Sequence, residues 1–129
     1  EKTYYIYNEP ALNTFDGNLY KDLVEKGIYK LLETRGVPVQ TLSSVLDQHL
    51  KTKEIQFMSI DTEGHEMEVI SSNDWNRYRP EYLLIEIISM NLQKIEQSPV
   101  HIFLDKQKYQ LFAKCYHTYI YKDSTFIEN

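Results

Sequence analysis

The stretch Phe57-Met58-Ser59-Ile60-Asp61-Thr62-Glu63-Gly64-His65-Glu66 decides the fold. Ile55 to Ile60 reads as a strand that stops at Asp61. Gly64 marks a turn, and Glu66 to about Ser71 begins a helix. A buried strand therefore delivers Asp61 to its carboxyl end, where open α/β sheets bind their ligands. Further on, Tyr82 to Ile88 is nearly continuous in apolar residues, the pattern of a strand covered on both faces. Glu86 lies near the end of that strand and is expected to approach Asp61 from the neighbouring position.

Working outward, Thr3 to Tyr7 is aromatic and β-favouring and stops at Asn8-Glu9-Pro10, which predicts a short strand. Ala11 to Gly17 reads as a loop. Asn18 to Glu33 has leucines at loosely helical spacing, with Gly27 against a continuous helix. Val37-Pro38-Val39 is extended, because a residue before proline avoids the helical region. Thr41 can cap a helix whose apolar face is Leu42, Val45, Leu46 and Leu50.

On the other side, Ser98-Pro99 is a helix start, and that helix should run to about Lys108. Tyr109 to Phe126 reads as two strands, with Lys122-Asp123-Ser124 as a turn or bulge. The order from Val37 is helix, strand, helix, strand, helix, strand, strand. It predicts an α/β fold with a mostly parallel sheet and a C-terminal antiparallel strand pair. The expected division is 1–36, holding the first strand, loop and weak helix, and 37–129, holding the rest.

The 129 residues suit one core, and a net charge of -5 offers no electrostatic footprint for nucleic acid or an anionic membrane. No apolar run approaches the roughly 18 to 20 residues of a membrane span, and the first residues lack a signal-peptide apolar region. Cys115 is the only cysteine, which rules out an internal disulfide and suits a reducing cytoplasm. Eleven tyrosines, mostly near the two ends, favour half-buried sheet or an aromatic-lined pocket.

Asp61, Glu63 and Glu66 crowd three carboxylates around His65 within six residues, which is costly unless something offsets the repulsion. Catalysis is one reading. Capping of the following helix is another, since acidic groups are favoured at a helix N-terminus. A metal site on Asp61, Glu63, His65 and Glu66 is a third, although their spacing matches no specific metal motif.

Four stretches together resemble a known family: Val39-Gln40-Thr41-Leu42, Phe57 to Glu66, Glu68-Val69-Ile70, and Arg79 to Glu86. They look like the FkbM-type methyltransferases, most clearly from Val37 to Ile88. The resemblance implies a partial class I, Rossmann-like methyltransferase fold, S-adenosylmethionine as cofactor, and O-methylation of a small hydroxylated acceptor such as a sugar or natural product. It places Asp61 and Glu63 at the catalytic centre, Glu66, His65 and Glu86 on the acceptor, and Asp61 and Thr62 toward the cofactor. Many members have lysine where this chain has Ser59, so no role of that lysine carries over.

The family's glycine-rich cofactor turn has no counterpart among Gly17, Gly27, Gly36 and Gly64. The chain therefore reads as the C-terminal half of such an enzyme, without the cofactor-loop half. A non-catalytic binding or oligomerisation module derived from the fold is the alternative function. In the family's sheet the strand ending at Asp61 pairs with the first strand. Without that neighbour, either Thr3 to Tyr7 folds over to pair with the edge or two chains associate across it as a homodimer.

Overall fold

The computed structural model describes residues 1–52, 54–88 and 91–126. The chain forms two compact units, Glu1–Gln40 and a second beginning at Thr41.

In the first unit, β1 (Lys2–Tyr7) pairs antiparallel with β2 (Leu31–Val37), from Lys2 opposite Val37 to Tyr7 opposite Leu31. Thr3 to Tyr7 thus finds its partner within its own unit and does not pair with the strand that ends at Asp61. A short 3-10 turn (Pro10–Leu12) and α1 (Lys21–Glu25) lie between the two strands. The helical pattern expected across 18–33 is cut short, because Gly27 turns left-handed at φ +70 and Leu31 and Leu32 continue as strand. Asn8 fixes the return: its N–H donates to the Lys30 carbonyl (3.0 Å), and its Oδ1 accepts from the Lys30 N–H (2.8 Å). Gly17 lies against the Tyr5 ring, where a Cβ would stand 2.3 Å from Cζ, so a larger residue would displace that ring.

The second unit opens with α2 (Leu42–His49), capped by Thr41, whose Oγ1 accepts from the Ser44 N–H at 3.1 Å. The sheet follows in the order β3-β4-β6-β5. β3 (Ile55–Ile60) runs parallel to β4 (Pro80–Glu86), and β6 (Thr118–Asp123) runs antiparallel to both β4 and β5 (Tyr109–Cys115). β3, β4 and β5 therefore point one way and β6 the other. This is a mixed sheet, and the expectation of a mostly parallel one is corrected. The expected C-terminal antiparallel pair does stand at one end of the sheet, with β6 against β4 and β5 outermost.

The turn between β5 and β6 also falls elsewhere than expected. It lies at Tyr116-His117, with Tyr116 left-handed at φ 56. Asp123, read from sequence as part of a turn or bulge, is inside β6, where the Arg79 guanidinium holds it with two hydrogen bonds of 2.8 and 2.7 Å. Ahead of α4 (Pro99–Lys106) a 3-10 segment, Leu92–Gln97, appears that the sequence did not announce. Ser98 stands at the N-cap of α4, but its side chain makes no capping hydrogen bond.

One face of this sheet carries the core. Ile60, Leu83, Ile85, Tyr119 and Tyr121 point to it and pack with Ile70 of α3 (Glu66–Ser71), Trp75, and Val100 and Leu104 of α4. The polar ends of the large aromatics are satisfied: Trp75 Nε1 donates to the Ile70 carbonyl (2.8 Å) and the Tyr109 hydroxyl to the Pro80 carbonyl (2.7 Å). β4 was expected to be covered on both faces, yet it alternates, with Leu83 and Ile85 buried and Tyr82 and Leu84 half-buried. The reason is that α3 and α4 pack on the same side. Among the described residues no helix is long and apolar enough to cross a membrane.

Candidate active site

The parallel pairing of β3 and β4 sets Ile60 beside Ile85. Asp61, one residue past the end of β3, and Glu86, the last of β4, consequently emerge at the same end of the sheet. The chain turns there through two left-handed residues, Glu63 (φ 51) and Gly64 (φ 99), and enters α3. Asp61, Glu63 and Glu86 each bring a carboxylate oxygen to this point, all within 4.8 Å of one another. Asp61 and Glu63 are exposed and Glu86 is half-buried.

Glu66 has a different task. Its side chain is buried, and its Oε1 accepts from the Thr62 N–H (3.0 Å), the Thr62 hydroxyl (3.1 Å) and the Gly64 N–H (3.2 Å). It ties the turn to the first residue of α3, and it commits both donors of Thr62. His65 is the N-cap residue of α3, and its Nδ1 lies 3.4 Å from Glu68 Oε1 on the same helix. Of the six residues singled out in the sequence, Asp61, Glu63 and Glu86 thus converge, whereas Glu66 and Thr62 serve the turn and His65 faces Glu68.

Burial pushes the Glu86 carboxyl above its ordinary value; Asp61, Glu63 and Glu66 add to the rise, and His117 counters it. His117 arrives on the β5–β6 turn and was not found from the sequence. Its carbonyl accepts from the N–H of Ile87, the residue after Glu86, at 3.0 Å. With the turn read at Lys122 to Ser124, no sequence signal marked His117.

Three carboxylate oxygens at this spacing are a donor set that hard cations accept. Of the four residues in the metal reading, only Asp61 and Glu63 join the cluster, and no further feature among the described residues marks a cation site. What the arrangement offers directly is negative charge and proton acceptors at a strand end beside a fixed turn.

Residues 3–111 match the methyltransferase FkbM domain. The chain belongs to that family. The match reaches back across β1 and β2, well upstream of the Val37 to Ile88 stretch where the resemblance is densest. No curated protein and no solved structure matches the chain. Within the FkbM family frame, the Asp61–Glu63–Glu86 cluster sits on the residues that carried the resemblance, and His117 lies outside the matched span.

Proposed function

We propose that this FkbM domain serves S-adenosylmethionine-dependent O-methylation of a small hydroxylated acceptor, such as a sugar or a natural-product hydroxyl, in a cytoplasmic setting. The observation that carries the reading is the meeting of Asp61, Glu63 and Glu86 at the carboxyl ends of two parallel strands in a methyltransferase family. The cofactor supplies an electrophilic methyl group on a positively charged sulfur. The residues present fit that end of it, since exposed carboxylates attract a sulfonium. No pair of glycines forms a backbone cradle for its nucleotide end: Gly17 is packed on Tyr5 and Gly36 against Glu1, while Gly27 and Gly64, each open, stand singly in separate turns.

In this reading Asp61 faces the methyl-transfer centre and takes the acceptor's hydroxyl proton, a role that positioned carboxylates fill as general bases. Glu63 and Glu86 line the acceptor side, and the raised affinity of Glu86 for a proton lets it share that proton with Asp61. Glu66 and Thr62 hold the turn so that Asp61 and Glu63 keep their places. Positioning supplies much of the rate in such an in-line displacement.

Isothermal titration with S-adenosylhomocysteine tests the reading. Saturable binding to this protein, lost in Asp61→Ala, supports it; no heat at millimolar ligand overturns it.

A second reading, a non-catalytic association module, is favoured by one observation. Among the described residues β3 is paired on one side only, and Phe57 on it is 67% exposed. An unpaired strand edge is a template for another strand, and the occupant proposed is a second copy of this chain meeting β3 across a two-fold axis. Sedimentation equilibrium decides: a dimer abolished by a proline at Gln56 supports the module, and a monomer at all concentrations removes it.

A further inference from the structure

We infer that Thr118, the first residue of β6, is a specificity-determining residue of this site: beside Glu86 it holds a second hydroxyl of the acceptor, and so selects vicinal diols over compounds with a single hydroxyl. The inference deepens the methyl-transfer reading and rests on it for the role of the first hydroxyl.

Strand pairing brings the two side chains together. Glu86 and Thr118 are register partners in the antiparallel pair of β4 and β6, so they stand on one face of the sheet. Their chain neighbours Ile85 and Tyr119, also partners, are buried in the core, so Glu86 and Thr118 point away from it. Directly opposed residues bring their Cβ atoms to about 4.5 to 5.5 Å, within reach of one bound hydroxyl. The next pair along the same face is Leu84 and Ile120, both half-buried. Thr118 thus meets the carboxylates where this face changes from apolar to polar.

The polar atoms at that border are uncommitted. Among the described residues no hydrogen bond engages the side chains of Asp61, Glu63, Glu86 or Thr118, whereas Glu66 and Thr62 are bonded to each other. An ionised carboxylate only accepts hydrogen bonds, and a threonine hydroxyl also donates. A ligand with one hydroxyl serves one of these groups and leaves its neighbours without a partner as water is displaced, which is unfavourable. Vicinal hydroxyls, as on a sugar or a cyclitol, serve more: one reaches Asp61, and its neighbour donates to Glu86 while accepting from Thr118. Thr118 lies beyond the 3–111 match, so this selection belongs to chain outside the family's matched span.

Nuclear magnetic resonance on the whole protein tests the inference, with methyl α-glucopyranoside as the diol probe and cyclohexanol as the single-hydroxyl probe. Methyl α-glucopyranoside should shift the Thr118 methyl and the Glu86 carboxyl carbon saturably, and cyclohexanol should not. Thr118→Val, which keeps the shape and removes the hydroxyl, should weaken the sugar about three- to tenfold. Thr118→Ser should bind as the wild type does, and so should the control Thr34→Val, on β2. No saturable shift at Thr118 in the wild type, an equal response to cyclohexanol, or unchanged affinity in Thr118→Val overturns the inference. Binding of S-adenosylhomocysteine enters none of these readouts, so failure of the methyl-transfer reading is distinguishable from failure of this one.

Discussion

The Arg79 guanidinium grips Asp123 through two hydrogen bonds, Nε to Oδ2 at 2.8 Å and Nη2 to Oδ1 at 2.7 Å, tying the entry of β4 to the end of β6. Arg79 also donates to the Trp75 and Gln107 carbonyls, at 3.2 and 2.9 Å. Removing one partner of a buried pair strands the other charge, which costs about 3 to 5 kcal/mol. Arg79→Leu should lower the urea midpoint by an amount in that range, and Asp123→Asn by less, because Thr125 and the guanidinium keep an oxygen acceptor.

The same pair sets an acid limit. Burial pushes Asp123 up, but the Arg79 hydrogen bonds and those from Thr125 prevail and hold it below its ordinary value. A carboxyl depressed in the folded state contributes stability above its unfolded value, near 4, and loses it as pH falls through the folded one. Stability measured by urea unfolding should fall below about pH 4 in the wild type, and this part of the fall should be absent in Asp123→Asn.

Glu86 has the opposite sign. Its folded value is raised, by burial first and then by its acidic neighbours, so the ionised form opposes folding at neutral pH. Glu86→Gln should stabilise the protein at pH 7, with the gain vanishing as pH falls below the ordinary carboxylate value of about 4.3. Urea midpoints at pH 7 and pH 4 check this. A gain that is the same at both would mean that packing, and not charge, is responsible.

Asp61→Asn should lower methyl transfer far more than stability, because the group lies where charge changes in the proposed reaction. Rates within about threefold of wild type would correspond to less than about 0.7 kcal/mol of barrier and would reduce Asp61 to a loop residue.

Glu66→Ala removes the acceptor for three donors, those of Thr62 N, Thr62 Oγ1 and Gly64 N. Leaving such donors unsatisfied costs about 1 to 3 kcal/mol, and the loss should appear in thermal unfolding. Glu63→Gly is its counterpart. Glu63 is left-handed at φ 51, and relief of that conformation, worth about 1 to 2 kcal/mol, should leave stability near wild type while the carboxylate is lost.

The strand-turn-helix around Asp61 was legible because three signals agreed there: β-formers up to Ile60, a glycine where the backbone must turn left-handed, and helix formers from Glu66. The approach of Glu86 followed from two apolar strands read as parallel neighbours. Leu31 and Leu32 misled because helical spacing of leucines says nothing about a distant strand partner such as Tyr7, which pairs with Leu31, and that pairing of β2 with β1 decided their state. The place of β6 was hidden for a similar reason. Tyr109 to Phe126 is β-favouring throughout, so the turn at Tyr116-His117 carried no glycine or proline to mark it, and Asp123 looked like a turn residue until Arg79, 44 positions away, claimed it. Glu66 was placed on the acceptor side by the family resemblance, and its bonds to the three donors of the turn depend on loop geometry that no sequence pattern marks.

The Glu66 clamp has a consequence for affinity. A loop of left-handed and polar residues would ordinarily fluctuate among many conformations, and a ligand that needed one of them would lose binding free energy in selecting it. Here Thr62 and Gly64 are already bonded before any ligand arrives. The ordering entropy, about 1 to 2 kcal/mol per residue fixed, is borne when the protein folds and not when it binds, so contacts made by Asp61 and Glu63 can appear in the observed affinity nearly undiminished.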